Sequence, residues 1–366
     1  MAASGEARLI SADDHIDLHT LPADLWQTRL PKSLRERGPR VVETEEGPWW
    51  EIEGRLLTPH GRKESELIAA EGFGFRPSRP EERIRDLDLD GVHTHVIFAP
   101  STTALQIRDA ALRNACLSAY NDWAAEFNRF DPDRLIALPD IGAGDPAAAA
   151  KELERCLAAG HRSASLSGAS GAIAKGIEPV YGPSWLRFWD IAAEAKLPIN
   201  VHLGGGLHTI QPAAGSWTYA AMAAVIPMQL DEILAGMIFS GVLEDRPDVS
   251  FIMAETGLGW IPYVIERMDE ELVKYGERMH DHRISMKPSE IFRRQVLVTY
   301  QDEAFGVECI PRIGVENVMW ASDYPHGDTT WPHSREKIAA SPLASLGEDA
   351  LRKITGGNAA RIYGIE

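Results

Sequence analysis

Cysteine is scarce in this chain. The three present, Cys116, Cys156 and Cys309, are far apart and odd in number, which argues against a disulfide framework and fits a reducing, cytoplasmic setting. Each lies in a helix-like or mixed apolar segment and is read as a small buried hydrophobe rather than a nucleophile. No run of 18 apolar residues occurs, so no membrane span is expected. Positive charge is in the minority: 37 Lys and Arg stand against 54 Asp and Glu, a formal net charge of −17. That field repels a phosphate backbone and removes nucleic acid from the expected partners. Internal repeats and low-complexity tracts are missing too. Met1–Leu9 lacks the charged segment and apolar core of a secretory signal, which again leads to a cytoplasmic expectation. What is there is ordinary globular material, 366 residues with 44% apolar and 25% charged. The length permits two average domains or one large α/β barrel.

Short apolar runs alternate with longer amphipathic stretches. The runs are Leu9–Asp13, Val92–Ala99, Leu135–Asp140, Ser163–Ser167, Ile199–Leu203, Ser250–Ala254, Val296–Tyr300 and Val318–Ala321. Helical stretches between them include Ala104–Phe130, Pro146–Ala159, Pro183–Lys196, Tyr219–Leu234, Tyr263–Tyr275, Pro288–Arg294 and Ala304–Ile313. Continuous apolar strands separated by helices imply buried parallel strands. Eight such units predict an α/β fold of the (β/α)8 barrel type, with residues 1–366 as a single domain. The rival, a doubly wound open sheet, calls for a glycine-rich phosphate loop after the first strand. Here that strand runs into Asp13-Asp14-His15 instead. Residues 27–82 read as an insertion between the first two strands, at the barrel mouth, with a hairpin at Glu51–Arg55. It would serve as a lid or an oligomer contact. Residues 335–366 read as a C-terminal helical cap.

In a parallel barrel, functional groups gather at the C-terminal ends of the strands. Strand one ends in Asp13-Asp14-His15, strand five in His202 followed by Gly204-Gly205-Gly206, strand six in Glu255, and strand eight in Ser322-Asp323-Tyr324-Pro325-His326. Asp13 and His15 are two apart on an extended chain and face the same side. A cluster of imidazoles and carboxylates from four strands predicts a metal site. The three glycines after His202 read as room for a close backbone approach to a ligand. The only literal H-x-H, His93-Thr94-His95, opens the second strand at the wrong end of the barrel and reads as structural. His208 and His333 stand close behind the cluster as candidate supporting groups. Trp49, Trp50, Trp217, Trp320 and Trp331 read as ordinary packing before an aromatic mouth.

These motifs carry a resemblance. Ile10–His15 with Leu25-Trp26 downstream resembles the opening of the amidohydrolase-2 family, the group that includes aminocarboxymuconate semialdehyde decarboxylase. Asn200–Gly206 resembles its strand-five histidine motif, Ala254–Pro262 its strand-six segment, and Asn317–His326 its strand-eight motif. The resemblance implies a metal-bearing (β/α)8 barrel with Asp13 and His15 on the strand-one ligand pair, and His202 and Asp323 as further ligands. It also implies that Asp323 takes a proton from a metal-activated water, and it implies a homo-oligomer, a dimer or larger. Three departures stand out: Asp13 where a histidine is usual, Glu255 where decarboxylases of this group carry a histidine, and no lysine at the end of strand four. Ser165 and Ser167 stand there, and Lys175 lies further out.

The donor set Asp13, His15, His202, Glu255 and Asp323 suits one divalent Zn, Mn or Fe ion, or two bridged by Glu255. A carboxylate at position 255 is better suited to hold metal than to donate a proton. The leading expectation is therefore a metal-dependent hydrolase or decarboxylase acting on a small organic substrate. Its catalytic groups would be Asp323 and His326, the latter as a proton shuttle. The missing strand-six histidine counts against decarboxylation. Two alternatives stay open: a non-heme iron oxygenase, mononuclear or diiron, and a barrel that binds a ligand without turnover.

Overall fold

A computed structural model describes residues 8–61, 78–100, 106–169, 177–204, 210, 211, 213, 215–281 and 283–366. In chain order its strands are β1 (Ile10–His15), β2 (Arg40–Thr44), β3 (Gly47–Ile52), β4 (Arg55–Pro59), β5 (Thr94–Phe98), β6 (Leu135–Ala137), β7 (Asp140–Gly142), β8 (Ala164–Ser167), β9 (Ile199–His202), β10 (Phe251–Ala254), β11 (Val296–Tyr300) and β12 (Val318–Trp320). Two of the sheets are wholly parallel, one ordered β1-β5-β6 and one ordered β12-β11-β10-β9-β8-β7. Helices follow the strands, as the alternation of patterns requires.

Every predicted apolar run is a strand, with one division. The run Leu135–Asp140 splits into β6 and β7 because Pro139 has no N–H to give to a ladder. The chain crosses between sheets there: Leu138 N donates to Ile97 O at 2.8 Å, and Pro139 O accepts from Ser165 N at 3.0 Å. At the other seam, Asp323 N donates to Asp13 O at 3.0 Å and His15 N to Tyr324 O at 2.7 Å. The strands thus form sheets of three and six rather than the single eight-stranded sheet expected.

Between the first two parallel strands, β2, β3 and β4 form an antiparallel sheet, of which the sequence reading caught only the β3–β4 hairpin. Its turn, Glu53-Gly54, has both φ angles positive, as a tight two-residue hairpin needs. Trp50 is fully buried and meets Trp26 edge-on at 5.1 Å. Trp50→Ala is expected to cost about 3–5 kcal/mol, the usual range for emptying a buried aromatic site, read as a lower thermal unfolding midpoint. An unchanged midpoint would mean that this sheet packs only loosely on the parallel strands.

The core has two parts. Inside the parallel strands, Ile10, Ala12, Val96, Phe98, Ile136, Ile252, Ala254, Leu297 and Met319 pack together with Ala359, Tyr363 and Ile365 from the end of the chain. A larger cluster joins the outer strand faces to the helices. The C-terminal segment forms helices Ser334–Ala340, Glu348–Arg352 and Asn358–Tyr363. Gly356 lies where a Cβ would stand 2.2 Å from Arg8 O, so no other residue fits. The Tyr363 hydroxyl donates to Asn200 Oδ1 at 2.7 Å, and Asn200 Nδ2 holds Ser163 Oγ at 2.7 Å.

The three cysteines are free and buried, and burial pushes the Cys116 thiol up to about 12. Trp320 and Trp331 belong to the core, and Trp217 is exposed. Trp217–Phe239 is 23 residues of consecutive helical turns with a mean hydropathy of 1.5, long and apolar enough by those measures to cross a membrane. It is not an unbroken apolar run, because Gln229, Asp231 and Glu232 interrupt it. Its second half packs Leu230, Ile233, Leu234, Met237 and Ile238 into the core, as a helix of a folded domain does.

Candidate metal centre

The predicted donors lie at the ends of β1, β9, β10 and β12, and the fold brings them together. His15 Nε2 stands 3.5 Å from Asp13 Oδ1 and 3.0 Å from Asp323 Oδ1. His202 Nε2 stands 3.6 Å from Asp13 Oδ1 and 3.0 Å from Glu255 Oε2. His326 Nδ1 is 2.9 Å from Asp323 Oδ1, and its ring stacks on that of His15 at 3.9 Å. Two overlapping groups have donor atoms within 4.8 Å of one another: Asp13, His15 and His202, and His15, Glu255, Asp323 and His326. His202 is steadied from behind by Leu203 O, 2.7 Å from its Nδ1.

The local backbone is bent to make this possible. β1 carries an irregularity between Ser11 and Asp14, and a bulge of this kind re-aims side chains at a strand end. Glu255 and Asp323 have φ of +54° and +56°, unusual for non-glycine residues, and such strain gathers at functional sites. Gly204, two residues past His202, has φ +101°, a backbone conformation that favours glycine, and a Cβ there would meet nothing within 4 Å. Gly205, Gly206, His208 and Lys175 lie outside the described residues.

The electrostatics call for a cation. Asp13 Oδ1, His202 Nε2 and both carboxylate oxygens of Asp323 are buried and complete no hydrogen bond of normal geometry among the described residues. Burial pushes Asp13 up to about 6 against the pull of His202, and raises Asp323 well above the usual carboxylate range against the pull of His326. Burial disfavours the charged form of His202, but Asp13 and Glu255 outweigh it and lift the imidazole to about 9. His326 is raised in the same way, by Asp323 and Asp17 against burial. An ion at about 2.1 Å from each donor places neighbouring donors roughly 3.0–3.4 Å apart, close to the spacings found. The residues therefore fit a divalent metal.

Behind the centre lies a buried polar network that sequence reasoning missed. Asp14, next to two donors, turns away from them. Its Oδ1 accepts from the Ser322 hydroxyl at 2.5 Å and from Tyr324 N at 3.2 Å. Arg83 donates to His15 O at 2.9 Å and to His95 Nδ1 at 3.0 Å, and its guanidinium lies 4.4 Å over the Tyr324 ring. His95, half of the H-x-H, is thus fully buried support, 3.8 Å from Asp14 through its Nε2 and not among the donors. Nothing in the sequence marks Arg83, which sits on an ordinary charged helix, Pro80–Asp90. His333 is exposed and pairs with Glu336.

The centre opens into a cavity of about 300 Å³ lined by Phe98, Asp140, Ser165, Ser167 and Gly204 as well as His15, Asp17, His202, Glu255 and His326. That volume suits a one-ring ligand. No tryptophan lines it among the described residues, so the aromatic mouth is absent there.

Known proteins resemble this chain along most of its length. The gamma-resorcylate decarboxylase of Rhizobium sp. (strain MTP-10005) is 25% identical over 302 residues, covering 78% of this chain and 87% of that protein. An amidohydrolase from Mycobacterium avium subsp. paratuberculosis K-10 superposes with a TM-score of 0.77 at 21% identity, over 99% of both chains. A dihydroxybenzoic acid decarboxylase from Polaromonas sp. JS666, solved with bound manganese and the inhibitor 2-nitroresorcinol, gives a TM-score of 0.67 at 16% identity over 98% of both chains. Residues 17–365 match the amidohydrolase family. That match spans nearly the whole chain and begins just past the two donors of β1, so together with the clustered imidazoles and carboxylates it settles the lineage: the chain belongs to the amidohydrolase family.

Proposed function

We propose that the protein is a metal-dependent carboxy-lyase that removes CO2 from a small hydroxylated aromatic acid. The observation that carries this reading is a pair of donor groups that overlap at His15, Asp13 with His202 on one side and Asp323 with Glu255 and His326 on the other, with Oδ1 of Asp13 and both carboxylate oxygens of Asp323 completing no hydrogen bond of normal geometry among the described residues. The two parallel sheets are read as two arcs of one barrel, and Asp13, His15, His202 and Asp323 as the ligands, with Glu255 at the edge of the set. Two carboxylates and two imidazoles, with the Glu255 carboxylate beside them, favour manganese over softer ions. When bound there, the ion supplies positive charge to the carboxylate and hydroxyl oxygens of a substrate in a cavity wall that has no Lys or Arg among the described residues.

The chain's own groups do the rest. Phe98, with its ring 5.0 Å from that of His202, gives a flat apolar wall for an aromatic ring. In this reading Asp323 passes a proton to the ring carbon that bears the carboxyl group. That C–H bond forms, the C–C bond to the carboxyl group breaks, CO2 leaves, and the freed electron pair restores the ring. His326, 2.9 Å from Asp323 and 3.4 Å from Asp17, returns the proton from the cavity. Extensive similarity to gamma-resorcylate decarboxylases supports this chemistry.

Hydrolysis is the second reading. Glu255 favours it, because a carboxylate, 3.0 Å from His202, stands where the resemblance called for the imidazole of a decarboxylase. The oxygenase alternative gains no support from these relatives. The test is release of CO2 from a panel of hydroxybenzoates by manganese-loaded protein, run beside a panel of aryl esters, lactones and amides. Turnover of the first alone supports the proposal; turnover of the second alone overturns it.

Metal binding should also depend on acidity. The ion needs Asp13 ionised, and that carboxyl is pushed up to about 6. Protons therefore compete at His202 below about 9 and at Asp13 as well below about 6, so affinity is expected to fall with pH throughout and more steeply below 6. Manganese titrations between pH 5 and 8 check this; a slope that does not steepen below pH 6 would remove Asp13 from the ligand set.

A further inference from the structure

The cavity has a second polar wall that the chemistry above does not use. Asp140, at the start of β7, and Ser167, at the end of β8, both line it, on strands that supply no metal donor. Both residues are more than nine-tenths buried. Asp140 Oδ1 and Ser167 Oγ complete no hydrogen bond of normal geometry among the described residues. A buried carboxyl and a buried hydroxyl left in this state ask for a partner from the cavity. The wall is also rigid. Asp140 N donates to Asn121 Oδ1 at 2.7 Å, Asn121 Nδ2 donates back to Asp140 O at 3.1 Å, and the same amide is tied to Glu152 at 2.7 Å. Such pre-set backbone is what a selective contact needs.

We propose that Asp140 and Ser167 form a subsite that receives a ring hydroxyl of the substrate, distinct from the oxygens that meet the metal. A phenolic hydroxyl satisfies both partners, donating to the carboxyl oxygen and accepting from the serine. The subsite selects among hydroxylated aromatic acids by the position of that second hydroxyl. Burial, partly offset by Ser167, pushes Asp140 up to about 7, so near neutrality the carboxyl can also donate to the incoming oxygen. Tyr120, whose buried hydroxyl is likewise without a hydrogen bond, feels the charge of Asp140. A mere Asp140–Tyr120 pairing would leave ligand choice untouched, which gives the test its contrast.

The inference rests on the proposed carboxy-lyase reading, and one experiment separates the two. Dissociation constants are measured calorimetrically for benzoate, 2-hydroxybenzoate and the 2,3-, 2,4-, 2,5- and 2,6-dihydroxybenzoates on manganese-loaded wild type, Asp140→Ala, Asp140→Asn and Ser167→Ala. Metal content is measured for each. In the wild type one dihydroxy isomer is expected to bind at least about tenfold tighter than 2-hydroxybenzoate, the kind of selectivity a buried polar subsite confers. In Asp140→Ala that advantage should fall to within about twofold while the metal is retained, with Ser167→Ala and the isosteric Asp140→Asn in between. An advantage that survives in all three variants overturns the subsite and leaves the carboxy-lyase reading standing. Failure of every benzoate to bind the wild type overturns both.

Discussion

Asp323→Asn is expected to lower turnover by about a thousandfold while the protein keeps most of its metal, because a positioned proton donor contributes roughly 10²–10⁴. The amide preserves the shape of a fully buried side chain and one oxygen toward the ion. It cannot take a proton from His326, whose Nδ1 stands 2.9 Å away. Steady-state kinetics with metal analysis of the same sample check the point. A variant within tenfold of wild type would move the proton-donor role to another group.

His15→Ala should have the second large effect. His15 belongs to both overlapping donor groups, and its ring lies between those of His202 and His326, at 4.9 and 3.9 Å. Its loss removes a ligand and also the ring on which His326 stacks. Manganese affinity is expected to drop by at least about a hundredfold, more than the 10–100-fold typical of losing a supporting group, with activity lost in proportion. Metal analysis after dialysis reads the first effect. Retention of a full equivalent would place the ion elsewhere in the cluster.

Most of the architecture was legible because a strand covered on both faces must be a continuous apolar run, and Val296–Tyr300, for example, appears with the bounds expected. The donors were legible for a related reason: a charged residue closing such a run has no packing role, so Asp13, His202, Glu255 and Asp323 stood out. What escaped has physical causes. The sheet β2–β4 has mixed, half-exposed strands, which leave only the Glu53-Gly54 turn as a signal. Asp14 was passed over because sequence position cannot tell which of two adjacent acids a bent strand turns inward. Arg83 and His95 act at a distance of many residues, through hydrogen bonds that no local pattern encodes. Asp140 closes the run Leu135–Asp140 and carries no further signal in the sequence. Its isolation depends on the split at Pro139 and on the pairing of its backbone with Asn121.

The anchoring of Tyr363 has a practical consequence. Its hydroxyl holds Asn200, two residues before His202, while its ring packs inside the parallel strands with Ile10, Ile252 and Met319. Proteolytic trimming from Tyr363 onward is expected to leave a void there and to loosen the strand that carries His202, an injury read out as weaker metal binding.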